Sequence, residues 1–155
     1  MFARLEPEGP RLFRVGLASG AQPQPVSDHG WFDAIETPDG LFAVHRLQDG
    51  IWRLAPGRSP ELVLAGFRPR RDNAVLESQH DWTVRDGRFY VLDSGQPGRI
   101  RVLSRAIAGG PARHVVDVEG SFNGSLVVDP LSGDIVFGVE VESGYDIAVI
   151  PFSRR

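Results

Sequence analysis

The chain has 155 residues, 41% of them hydrophobic and 24% charged, with a net charge of −3, the proportions of a single soluble globular domain rather than a disordered segment. Charge comes in no sizeable block of one sign, so bulk attraction to nucleic acid is not expected, and the absence of cysteine excludes disulfides, thiolate nucleophiles and cysteine zinc sites. No apolar run reaches the length of a membrane helix, and the start "MFARLEPEGPRLFR" lacks the apolar core of a secretory signal, so no export address is expected.

All 17 basic residues are arginine, which we read as the mark of a GC-rich genome rather than of a binding function. Glycine (18) and proline (12) punctuate the chain at short intervals, and apolar or β-branched runs of four to eight residues fill the gaps, a strand-and-turn rhythm. No window sustains a helical apolar period between these breakers, and the nearest candidate, Ala74 to Gln79, is too short to stand alone.

In chain order, "FARLE", a "PEGP" turn, "RLFRVGL" and a possible edge "QPVSD" make about three strands by Asp28. "WFDAIE" from Trp31 then begins a pattern that recurs. The turns "TPDG", "VRDG" and "LSGD" place Gly40, Gly87 and Gly133 at intervals of 47 and 46 residues, each followed by an apolar strand, "LFAVHR", "RFYVLD" and "IVFGVE". A second turn and strand follow at Ile51, Ile100 and Ile147, spaced 49 and 47 apart. Upstream of each first turn lies another strand ("WFDAIE", "DWTV", "SLVVD"), and the first two copies add a fourth, "ELVLA" and "ARHVVDV". Arg68 to Gln79 is the longest interruption.

Four antiparallel strands in some 45 residues is the size and strand count of a β-propeller blade. The second strand of each copy is apolar almost without interruption, as expected of a sheet buried on both faces; a sheet with one wet face would alternate. The expected fold is therefore all-β and β-propeller-like, with about three and a half four-stranded blades. We read residues 1-155 as one domain: a partial blade at 1-28, blades at 29-66 and 78-119, and a partial blade at 121-152. A partial propeller leaves apolar blade faces and strand edges at its ends, so completion by a second copy, as a homodimer, is one expectation.

The repeats resemble TolB-type propeller blades: "TPDGLFAVHR…GIWRLA" and "VVDPLSGDIVFGVE…YDIAVIP" follow that motif in order and spacing. More narrowly, "DWTVRDGRFYVLD", "RIRVLSRA" and "SGYDIAVIPFSR" are similar to the C-terminal propeller of proteobacterial CadC-type winged-helix transcriptional regulators. There a cytoplasmic DNA-binding domain, one membrane helix and a periplasmic propeller follow in order. The resemblance implies the sensor or interaction portion of such a bacterial regulator, or a stand-alone relative. It places the chain in the periplasm if part of a longer protein and in the cytoplasm as written, with neither DNA binding nor a membrane span in these residues.

Candidate chemistry is sparse. None of the four histidines makes a metal-site spacing, and His45 and His114 are read as ordinary sheet residues. His29-Gly-Trp31 and His80-Asp-Trp82 recur 51 residues apart, each entering a first strand; His29, Trp31, His80 and Trp82 are weak candidates for ligand contact, with blade packing the plainer role. Arg68, Arg70 and Arg71 form a local cluster that could hold an anion or acidic partner, against a solvated loop. "SFNGSLVVDP" is similar to a strand of the gluconolactonase-like propellers, which implies Asn123 as a metal ligand in the alternative reading of a metal-dependent hydrolase; the plainer reading is a turn. No catalytic residue, cofactor or resident metal is expected, and the leading expectation is a non-enzymatic binding module whose ligand or partner the residues do not name.

Overall fold

A computed structural model describes residues 1–68, 80–96, 98–122, 125–141 and 144–151. Among these the chain is all-β, with no helix, and its strands form four small antiparallel sheets, each a blade-like meander, so the fold is β-propeller-like. The chain divides into two compact units, Met1–Leu76 and Glu77–Arg155, with two sheets in each. Arg70, Arg71, Asn123 and the interruption after Arg68, with its segment Ala74 to Gln79, lie outside the described residues.

In the first unit, sheet 1 holds β1 (Phe2–Glu6), β2 (Gly9–Arg14) and β3 (Gln24–His29) in that order. Sheet 2 follows with β4 (Trp31–Thr37), β5 (Gly40–His45), β6 (Ile51–Leu54) and β7 (Glu61–Leu64). Leu12, Trp31 and Ala43 form the core between these sheets, with Ala3, Val26, Ala34, Trp52 and Leu54 packed around them. Successive strand residues point to opposite faces, so the run of buried Phe42, Ala43 and Val44 shows that sheet 2 is buried on both sides. The near-continuous apolar reading of that strand has this as its cause.

Sheet 3, in the second unit, contains β8 (Trp82–Arg85), β9 (Arg88–Gln96), β10 (Arg99–Ala106) and β11 (Arg113–Glu119). It too is buried on both faces. Trp82, Val84 and Phe89 share one side, and Tyr90, Leu92, Ile100 and Val102 join the core on the other. Sheet 4 comprises β12 (Ser121–Phe122), β13 (Val127–Val128), β14 (Ile135–Val141) and β15 (Gly144–Ile150). β12 and β13 pair with opposite ends of the same edge of β14, Phe122 against Val139 and Val127 against Val136. They are two pieces of one interrupted inner strand. Among the described residues sheet 4 therefore has three strand positions, as sheet 1 does, and the four sheets amount to three and a half blades.

The repeated turns are built differently from one another. Asp86 and Gly87, at φ 49° and 68°, form a two-residue hairpin loop with both centres left-handed, which Asp-Gly suits. Before Gly40 the loop is Pro38–Asp39, where proline's fixed negative φ forbids that turn, and Thr37 Oγ1 instead accepts the Asp39 amide at 3.1 Å. At the third copy Asp129 Oδ1 accepts the Leu131 amide at 2.7 Å and its backbone carbonyl accepts the Gly133 amide at 2.9 Å. One crossing device is common to both units. The glycine between sheets donates its amide to an earlier hairpin, Gly30 to the Pro10 carbonyl at 2.7 Å and Gly120 to the Gly98 carbonyl at 2.9 Å.

Candidate functional site

The two His-x-Trp motifs occupy corresponding places at the entries to β4 and β8, yet their side chains serve different ends. His29 is the last residue of β3. Its Nε2 lies 2.9 Å from Glu6 Oε2 and 3.7 Å from Glu8 Oε2, at the tip of the β1–β2 hairpin. Arg4 donates to the other oxygen of Glu6, and Arg11 Nη1 stands 3.9 Å from Oε2. The Arg4 hydrogen bond, then that from His29, holds the Glu6 carboxyl below its ordinary value of 4.5. The cluster ties three strands together at one end of sheet 1, with its carboxylate satisfied from two sides.

Trp31, two residues on, turns into the core. Its ring meets His45 edge-on at 4.9 Å and Trp52 at 6.3 Å. Gly30 is what permits that approach: with φ at 100°, a Cβ there would lie 2.8 Å from His45 Cδ2 and closer still to Nε2. Trp31 is thus a packing residue, and His29 belongs to a surface ion cluster.

In the second unit the His80 amide donates to Ser125 Oγ at 3.3 Å, and its carbonyl accepts from the Leu126 amide at 2.6 Å. The buried Asp81 takes the Leu92 amide on its carbonyl at 2.9 Å, and Trp82 is completely enclosed. Backbone bonding through His80 therefore stitches sheet 3 to the inner strand of sheet 4. Arg68 is exposed, with Nε 3.4 Å from Asp49 Oδ2. Within the first unit the recorded partners of His29, Trp31 and Arg68 are three separate sets of residues, so these candidates do not form one site.

A second carboxylate hub went unnoticed in the sequence. Asp117 on β11 contacts Arg101 Nε and His114 Nε2, both at 3.1 Å, and also pairs with Arg99. Desolvation by its neighbours pushes this carboxyl up, but the His114 and Arg101 hydrogen bonds outweigh it and hold the group below its ordinary value of 3.8. The signal was an Arg-x-Arg alternation facing an Asp across a strand pair, which becomes readable only once the register is known. Among the described residues no group of three or more histidine and acidic side chains could hold a metal ion. Among them, too, no helix is long and apolar enough to cross a membrane.

The remaining feature with functional content is apolar. On sheet 4, Ile135, Phe137 and Val139 enter the core, so Val136, Gly138 and Glu140 face outward. Val127 and Val149 flank Val136 in register, and Ile147 lies opposite Gly138. Val127, Ile147 and Val149 remain 51%, 70% and 57% exposed. None of the protein families, curated proteins or solved structures with which the chain was compared matches it.

Proposed function

We propose that the chain is a non-enzymatic binding module of β-propeller type, akin to the TolB-type and CadC-type regulator propellers, which engages a protein partner through a blade face. The observation that carries this reading is the row of exposed valine and isoleucine side chains across sheet 4, on a face of the kind that sheets 2 and 3 keep buried. An apolar sheet face of this sort suits another protein surface and offers nothing to a phosphate backbone. The described histidines and acidic side chains support the same view, since His29, His114, Glu6 and Asp117 are engaged in strand-to-strand ties.

The competing possibility is a metal-dependent lactonase-like hydrolase with Asn123 as a ligand. Calcium titration followed by thermal shift separates the two, because a cation that binds only the folded chain raises its melting temperature. The binding module is expected to show no calcium-dependent shift. A saturable stabilisation that Asn123→Ala abolishes would overturn the reading in favour of the hydrolase.

A further inference from the structure

One end of sheet 3 gathers arginines that its acidic residues do not answer. Arg85 and Arg88 face each other across the β8–β9 hairpin, and Ala106 of β10 stands opposite Arg88. In the next row of the same face, Ser104 of β10 has Tyr90 on one side and Arg113 of β11 on the other. Residues directly opposed in register share a face. Arg85, Arg88, Ala106, Ser104 and Arg113 therefore lie on the side of sheet 3 that carries Tyr90 and Val102 into the core.

Like charges opposed on a sheet cost stability unless something answers them. At Arg85 something does. Its Nη2 donates to the Pro130 carbonyl at 3.1 Å, its Nε stands 3.6 Å from Asp86 Oδ1, and Asp129 attracts it at longer range. Asp129 is otherwise spent within its own loop, where Oδ1 accepts the Leu131 amide, and Asp134 is tied into that loop by its amide, which donates to Ser132 Oγ at 3.1 Å. Arg88 is held differently. Its Nη2 donates to Ser104 Oγ at 3.1 Å, a neutral acceptor on a residue only 4% exposed. Arg113 is exposed, and among the described residues no carboxylate partners it or Arg88. Elsewhere arginines are matched: Arg4 by Glu6, Arg14 by Glu36, Arg53 by Glu61, and Arg99 and Arg101 by Asp117.

We propose that Arg88 and Arg113 form a binding site for a phosphate-type dianion, seated over Ala106 and Ser104. The strands that carry the two arginines flank β10, two strand spacings or roughly 10 Å apart. The bond to Ser104 draws the Arg88 guanidinium across β10 toward Arg113, and the small Ala106 side chain leaves room beside it. A carboxylate presents two oxygens, which a single guanidinium fork occupies. A phosphate group has oxygens on several sides and a second charge, so it can satisfy two forks at once.

Calorimetric titration of the full chain with inorganic phosphate tests the site, beside sodium chloride at matched ionic strength and sodium acetate. Phosphate should bind saturably and the other two should not. Arg88→Gln and Arg113→Gln should each weaken phosphate binding about tenfold, since each removes charge-assisted hydrogen bonds. Arg14→Gln, which alters an arginine already paired with Glu36, should leave it unchanged. Ser104 acts by positioning Arg88, so Ser104→Ala should weaken binding about threefold and Ser104→Thr should restore it. Circular dichroism of every variant checks that the fold persists, and Arg113, being exposed, is the substitution least able to disturb it. O-phosphoserine binding as tightly as inorganic phosphate would assign the site to a phosphate ester, and its exclusion to the free anion. Heats no greater than those of chloride would overturn the proposal. So would acetate binding as tightly as phosphate, or Arg88→Gln and Arg113→Gln chains that bind phosphate unchanged. None of these residues belongs to the outward row of sheet 4, so such a failure leaves the binding-module reading to its own calcium experiment.

Discussion

The two units solve one packing problem with different materials. Each joins two sheets by the same glycine amide to hairpin carbonyl bond, Gly30 to Pro10 in the first and Gly120 to Gly98 in the second. The first unit closes around a short aromatic core in which Trp31 sits among His45, Trp52 and Leu12, an arrangement that needs a glycine against the His45 ring. The second closes around a broader core of Tyr90, Leu92, Ile100, Val102, Phe122, Leu126, Ile135, Phe137 and Val139. Apolar volume can be delivered by a few large rings at close approach or by many branched side chains, and the sheet plan accepts either.

That contrast can be broken by substitution. The largest effect is expected in the second unit, where Phe137→Ala removes a fully buried ring and leaves a cavity, at a cost of about 4 kcal/mol in urea unfolding. A loss below about 1 kcal/mol would show that neighbours collapse into the space and that this core is less tightly determined than the first. Gly30→Ala tests the first unit, with an expected cost of about 3 kcal/mol from the clash with His45 and the left-handed backbone together. Adding His45→Ala should recover about half of that, since only the backbone strain then remains. No recovery would place the whole cost in the backbone and remove close aromatic approach as the distinguishing feature.

A subtler difference lies in acid. Both carboxylate hubs have folded values below their ordinary ones, so each contributes stability that is present above its unfolded value and is lost as pH falls through the lowered folded value. For Glu6 that window opens below 4.5, and for Asp117 below 3.8. Melting temperature should therefore fall on acidification, and Glu6→Gln and Asp117→Asn should each flatten the fall within their own window. If only one variant does so, one unit carries the acid sensitivity. The smallest effect is expected for Glu36→Gln, which breaks an exposed pair with Arg14 between sheets 1 and 2 and should change stability by no more than about 0.5 kcal/mol.

Much of the architecture could be read from residue order. The strands of sheets 2 and 3 fall where turn residues and apolar runs placed them, and unbroken apolar stretches such as "LFAV" announced burial on both faces. Turn chemistry was less legible. "TPDG" and "VRDG" look alike, yet proline in one and aspartate in the other produce different loops, and the Asp49–Gly50 pair is no tight hairpin turn at all. Gly50 donates to the Phe67 carbonyl at 2.7 Å, and a Cβ there would stand 2.8 Å from the Leu64 carbonyl oxygen. Nor did anything in "SFNGSLVVD" foretell that β12 and β13 would pair with opposite ends of one edge of β14, because pairing register leaves no mark on composition.

What the residue order determined by itself is the all-β meander, its count of three and a half blades and the two-sided burial of the middle sheets, since these follow from local periodicity and backbone preference. What the tertiary structure alone decided is where the polar side chains meet. Glu6 with His29, Asp117 with Arg99 and Arg101, and the outward Val127–Val136–Val149 row all depend on cross-strand register. Register is set by the best fit of whole faces, and a one-residue slip would send each of these groups to the opposite side of its sheet.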